Sequence, residues 1–131
     1  NMVPGAVAWI TDICVPISQL SDAIGRAKSA IAAAGLFAPI LGHVGDGNFH
    51  VFFILRPDDP ASWDKARVIN DAMIDHALAV GGTCTGEHGI GLGKRQAMQR
   101  EHGAESVATM RRIKDALDPS GRLNPGKIFL D

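Results

Sequence analysis

The chain has 131 residues, of which 46% are hydrophobic, with 13 Lys plus Arg against 14 Asp plus Glu. That length and apolar fraction suit one domain with one buried core. The near-balanced charge excludes the electrostatic footprint of a nucleic-acid or membrane-surface binder, and runs such as Ala30–Ala34 and Val51–Leu55 are far too short to cross a bilayer.

In chain order, residues 6–15 (AVAWITDICV) are apolar and β-rich and close at Pro16, which predicts a strand. Ser18 is placed to cap a helix carrying Leu20, Ile24, Ala27, Ile31 and Ala34 at helical spacing, and Gly35 ends it. Two apolar runs, 39–44 and 49–55, flank Gly45-Asp46-Gly47-Asn48 and predict a hairpin broken by RPDDP at 56–60. Helical spacing returns over 62–80 with Ala66, Ile69, Met73, Ala77 and Val80, ended by Gly81-Gly82. Thr83-Cys84-Thr85 predicts a last strand. The order gives an α+β fold, a ferredoxin-like βαββαβ sandwich with an antiparallel sheet. Two C-terminal helices follow, 94–101 and 104–117, the second with a stripe of Val107, Met110, Ile113 and Leu117 expected in the core, and then a loop-like tail. Residues 1–131 are expected to form a single domain.

Cys14 and Cys84 lie outside any CxxC, pointing to small buried thiols in a reduced, intracellular protein. His76 reads as a packed or surface histidine, and His102 before Gly103 as a helix-end residue.

Chemistry concentrates in two glycine-rich stretches. In GHVGDGNFH, 42–50, a tight turn centred on Asp46-Gly47 would set His43 opposite His50, close enough for two imidazoles to share a metal ion. Paired histidines on adjacent strands are equally compatible with ordinary hydrogen-bonded residues beside a common hairpin signal. In TCTGEHGIGLGK, 83–94, a P-loop fails at His88 and no GxGxxG or HExxH occurs. Glu87 would give the histidine pair a carboxylate, completing a set suited to a catalytic Zn, Mn or Fe ion with open positions. His88 would then stand beside a bound hydroxyl as a base. A solvated strand-to-helix loop is the plain alternative.

GHVGDGNFH, GGTCTGEHGIGLGKR, ALDPSGRLNPGKIF and the opening TDICVPISQL together resemble the C-terminal domain of FAD-linked oxidases. That family includes D-lactate dehydrogenase (cytochrome), the glycolate oxidase flavin subunit and D-2-hydroxyglutarate dehydrogenase, and the likeness leans to the first branch. The resemblance implies His43, His50 and Glu87 as metal ligands and His88 as the base for the substrate hydroxyl while hydride passes to FAD. It also implies Asn48 near substrate or metal and Asn124 facing the flavin. Lys94-Arg95 reads as the opening of a helix, although Lys94 is also close enough in sequence to the site to reach an anionic substrate.

The FAD-binding domain of such enzymes is expected to lie outside this chain, which begins at Asn1 without an initiator and reads as a fragment. The expected partners are a small 2-hydroxy acid, the FAD-binding domain and a second copy through surface that domain would otherwise cover. The expected location is cytoplasmic or peripheral to the inner membrane, mitochondrial in a eukaryote. A ferredoxin-like module that binds metal or partners without catalysis is the alternative.

Overall fold

A computed structural model describes residues 3–130; Asn1, where the chain opens, lies outside them. The chain forms two compact units, the first ending at Gly86 and the second beginning at Glu87.

In the first unit the elements run β1 (Val7–Ile10), β2 (Ile13–Cys14), α1 (Ile17–Ala34), β3 (Ile40–His43), β4 (Asn48–Leu55) and α2 (Pro60–Ala79). The predicted opening strand is therefore interrupted at Thr11-Asp12. Its register is continuous all the same: Ile10 pairs with Phe52 and Ile13 with Phe49, so Thr11 and Asp12 face Val51 and His50. Thr11 explains the break. Its hydroxyl accepts the Val51 N–H at 3.0 Å, the place of the strand's own carbonyl, while its N–H still donates to Val51 O.

β4 is central, antiparallel to β1 and β2 on one side and to β3 on the other. Beyond β2, the predicted strand 83–85 contracts to one antiparallel bridge, Thr83 to Cys14. The ladder stops at this bridge among the described residues, and Thr85 turns its side chain inward to Asp12. Counting that bridge as the last strand, the order is that of the antiparallel α+β ferredoxin-like sandwich.

Alternation along β4 decides the layers. Phe49, Val51, Phe53 and Leu55 point to one face and are buried with Ile13, Ala27, Ile31, Ala66, Ile69 and Met73 beneath α1 and α2. Trp9 stacks on Phe53 at 5.7 Å between ring centres and meets Trp63 of α2 at 6.0 Å. Each fully buried Val, Leu, Ile, Phe or Met among them contributes about 1.5–3 kcal/mol by leaving water. Asn48, His50, Phe52 and Ile54 take the opposite face.

Helix α1 starts one residue before the predicted Ser18 cap. Pro16 is the N-cap, with no side-chain cap bond, because its fixed φ of −51° and its carbonyl's bond to the Gln19 N–H close the first turn without one. Gly35 ends the helix in the left-handed conformation at φ 67°, as predicted. The Asp59 side chain accepts the Ser62 N–H to cap α2. His76 on α2 is half-buried, its Nε2 3.5 Å from the Asp22 carboxylate.

The second unit holds α3 (Arg95–Leu117), interrupted at Gly103 with φ 77° and ψ 160°, so the expected division into two helices is present with His102 at the end of the first. Beyond α3, Asp118 accepts the Arg122 and Leu123 N–H groups and pairs with Lys114. The expected core stripe is corrected: Met110 and Ile113 are exposed and Leu117 is 79% exposed. In the tail, Phe129 lies under the Arg111 guanidinium at 4.7 Å. Among the described residues no helix is long and apolar enough to cross a membrane.

Candidate metal and substrate site

The hairpin that carries the histidines differs from the predicted one. The turn is a four-residue loop, 44–47, rather than a two-residue turn on Asp46-Gly47, and His43 faces Asn48 while Leu41 faces His50. The Asp46 N–H donates to His43 O at 2.9 Å and Gly47 takes φ 75°. Gly47 is pressed against the β2–α1 junction, its carbonyl accepting the Val15 N–H at 3.0 Å, and a Cβ there would overlap the Val15 carbonyl oxygen. This anchoring pulls the turn toward β2 and sets the longer loop.

His43 and His50 still share a face, because the displacement is two residues and side chains alternate with period two. Their rings are nearly perpendicular, 5.9 Å between centres, and a ligating nitrogen of each lies within 4.8 Å of the other. One ion at the usual Zn–N distance of about 2.0–2.1 Å from each needs only a small side-chain adjustment.

His50 is the more constrained of the two, at 7% exposure. Its Nδ1 lies 3.1 Å from Thr11 O, the carbonyl released when the Thr11 hydroxyl took over the Val51 N–H. The Asp12 carboxyl lies 3.7 Å from the same nitrogen. Both neighbours are acceptors, so Nδ1 is the donor of this ring toward the Thr11 carbonyl. A ring tied to a carbonyl through one nitrogen is how a metal-ligating histidine is held.

Sequence reasoning missed Asp12. It is 1% exposed, opposite His50, and accepts Asn48 Nδ2 at 2.7 Å through one oxygen and the Thr85 hydroxyl at 2.8 Å through the other. The available signal was a carboxylate inside an otherwise apolar strand, AVAWITDICV, which is costly to bury without partners. Asn48 also donates to Ile13 O at 3.3 Å, and its Oδ1 is buried with no hydrogen-bond partner. Gly86 packs flat on this pair, where a Cβ would overlap Asn48 Nδ2.

Cys14 faces Asn48 on the same side of the sheet. Its thiol donates to Asp46 O at 3.3 Å, and its pKa is raised from 9.0 by burial, then by Asp12 and Asp46. Both cysteines are free thiols, Cys84 fully buried and Cys14 partly so.

In the second unit, Glu87 and His88 sit in a glycine-rich segment with Gly89 at φ 75° and Gly91 at φ 53°. His88 Nε2 lies 3.6 Å from Glu87 Oε1, both side chains being nearly half exposed. Lys94 is the N-cap of α3. The tail returns to this segment, with the Ile128 N–H donating to Gly91 O at 2.8 Å and the Arg95 guanidinium donating to Gly126 O and Phe129 O. Asn124 takes φ 47°, a left-handed conformation uncommon outside glycine.

Residues 2–128 match the family model for FAD linked oxidases, C-terminal domain. The chain is 44% identical over 128 residues to D-lactate dehydrogenase [cytochrome], mitochondrial, of Arabidopsis thaliana, covering 98% of this chain and 23% of the relative. It is 46% identical over 126 residues to the protein of the same name from Kluyveromyces lactis, covering 96% of this chain and 21% of that relative. Glycolate oxidase subunit GlcD of Escherichia coli is 35% identical over 85 residues, 65% of this chain and 17% of its own length. The chain thus spans less than a quarter of the length of these relatives.

Proposed function

Because the chain belongs to the FAD-linked oxidase C-terminal domain family, we propose that it is the metal- and substrate-binding domain of an FAD-dependent D-2-hydroxy-acid dehydrogenase, with D-lactate as substrate. Residues 1–131 then form one functional domain whose FAD-binding partner domain lies outside this chain. The observation that carries this reading is the buried His50, tied at Nδ1 to the Thr11 carbonyl and sharing a sheet face with His43. The names of the relatives, D-lactate dehydrogenases above all, support the substrate class.

His43 and His50 hold a divalent ion, Zn, Mn or Fe, through ring nitrogens, and Glu87 supplies the carboxylate ligand. Gly86, the residue that precedes Glu87 in the sequence, packs on Asn48 and Asp12 within the first unit. The orphaned Asn48 Oδ1 fits a site that receives a donor from a ligand. A bound cation supplies Lewis acidity that lowers the pKa of a substrate hydroxyl. FAD, held mainly by the other domain, supplies the hydride acceptor.

The chain's own residues divide the remaining work. His88 takes the hydroxyl proton on a ring nitrogen as the Cα hydride departs. Asn48 orients the hydroxyl, and Lys94 attracts the substrate carboxylate as a flexible cation. Asn124, whose backbone is left-handed, would face the flavin ring. The exposed stripe of Met110, Ile113 and Leu117 suits burial against another domain, or against a second copy where that domain is missing. Relatives named mitochondrial favour that compartment in a eukaryotic host.

The chain alone should show no D-lactate turnover with an artificial electron acceptor. Joined to its FAD-binding domain it should oxidise D-lactate, and His88→Gln should lower kcat roughly 100- to 10,000-fold. Turnover by the isolated chain, or a His88→Gln enzyme with unchanged kcat, would refute the reading.

A further inference from the structure

We propose that Asp12 is a positioning residue that locks the Asn48 carboxamide and the departure point of the 86–88 segment in one arrangement. The inference rests on reading His43 and His50 as metal ligands, and it extends that reading to a residue opposite His50 on the neighbouring strand.

Three observations converge on this carboxyl group. Asn48 Nδ2 donates both to Asp12 Oδ1 at 2.7 Å and to Ile13 O at 3.3 Å, so both amide hydrogens are committed. An amide whose nitrogen is held by two acceptors cannot flip without setting oxygen against oxygen, and Oδ1 is thereby fixed as the buried acceptor left without a partner among the described residues. Asp12 Oδ2 accepts the Thr85 hydroxyl at 2.8 Å, one residue before Gly86. The chain that leads to Glu87 and His88 is therefore pinned to the sheet by the same group. Finally, Asp12 stands 3.7 Å from His50 Nδ1, where an acceptor favours the Nδ1–H tautomer.

A plain structural role would require only that Asp12 satisfy buried donors. The orphaned Asn48 Oδ1 argues for more, because a strand break stabilised for its own sake leaves no acceptor buried and unmatched. Binding a hydroxyl-bearing ligand supplies the missing donor.

The test compares the chain with Asp12→Ala, Asp12→Asn and Thr85→Val by two independent readouts. In metal-free protein, the Asn48 side-chain amide protons, identified by their loss in Asn48→Asp, should be protected from solvent exchange. Asp12→Ala should accelerate that exchange at least tenfold, while Asp12→Asn, which retains one acceptor oxygen, should largely restore protection. In cobalt titrations followed by d–d absorption, Asp12→Ala and Thr85→Val should weaken Co2+ binding roughly 10- to 100-fold with unchanged sheet amide shifts.

Wild-type amide exchange and Co2+ affinity in a folded Asp12→Ala protein would overturn the proposal. If Asp12→Ala does not fold, Asp12→Asn and Thr85→Val carry the comparison: wild-type Co2+ affinity in Thr85→Val, together with unprotected Asn48 protons in Asp12→Asn, overturns it. A wild-type chain that binds no Co2+ sinks the ligand assignment to His43 and His50, and the amide exchange then decides Asp12 alone.

Discussion

His43 lies opposite Asn48 across the β3–β4 ladder, and His50 lies two residues further along the same face. The two histidines therefore meet diagonally, at 5.9 Å between ring centres, with Asn48 beside them. A register displaced by one residue would have put them on opposite sides of the sheet; displacement by two preserves the pair and adds a carboxamide to it.

Gly47 holds that register. Its φ of 75° and its packing against the Val15 carbonyl leave no room for a side chain. Gly47→Ala should destabilise the fold by about 2–4 kcal/mol through left-handed strain plus overpacking. A lowered chemical-denaturation midpoint with unchanged slope is the expected result.

Burial separates two apolar substitutions of similar appearance in the sequence. Phe53 is 0% exposed and stacked on Trp9, whereas Leu117 is 79% exposed. Phe53→Ala should cost about 3–5 kcal/mol, and Leu117→Ala should stay within roughly 0.5 kcal/mol of wild type. Thermal melts of both variants check the contrast.

These cases show what the sequence carries. Periodicity placed α1 and α2 because Leu20, Ala27, Ile31, Ala66, Ile69, Met73 and Ala77 must bury one stripe against a sheet. It also marked GHVGDGNFH as a hairpin. The register was out of reach, because Gly47 is positioned by Val15, thirty-two residues earlier in the chain. Asp12 was hidden for a similar reason: its partners, Asn48 and Thr85, are distant in sequence and adjacent only once β2, β4 and the bridge at Thr83 assemble. The stripe on α3 misled because helical spacing reports an apolar face and not what covers it.

Cys14 should behave as a slow nucleophile. Burial, and after it Asp12 and Asp46, hold its thiol above the ordinary 9.0. Alkylation rates measured against pH should therefore rise with a midpoint above 9.0, and Asp12→Asn should move that midpoint downward. A midpoint at or below 9.0 in wild type would contradict the packing around Asp46.

Asp118 gives the second unit an acid-sensitive joint. The Lys114 ammonium, then the Leu123 and Arg122 N–H groups, hold its carboxyl below the ordinary 3.8. Since the folded value is the lower one, the stabilisation is complete above pH 3.8 and is lost as pH falls from there through the depressed value. Amide exchange at Arg122 and Leu123 should accelerate in that window and no higher. Asp118→Asn should remove the pH dependence.

The central claim is that His43, His50 and Glu87 hold one divalent metal ion. Metal content of the purified chain, measured by mass spectrometry after reconstitution with Zn, Mn or Fe and desalting, tests it most directly. The expected result is one equivalent of the preferred metal in wild type and a loss of at least tenfold in affinity in each of His43→Ala, His50→Ala and Glu87→Ala. Equal metal content in the wild type and all three variants would contradict it.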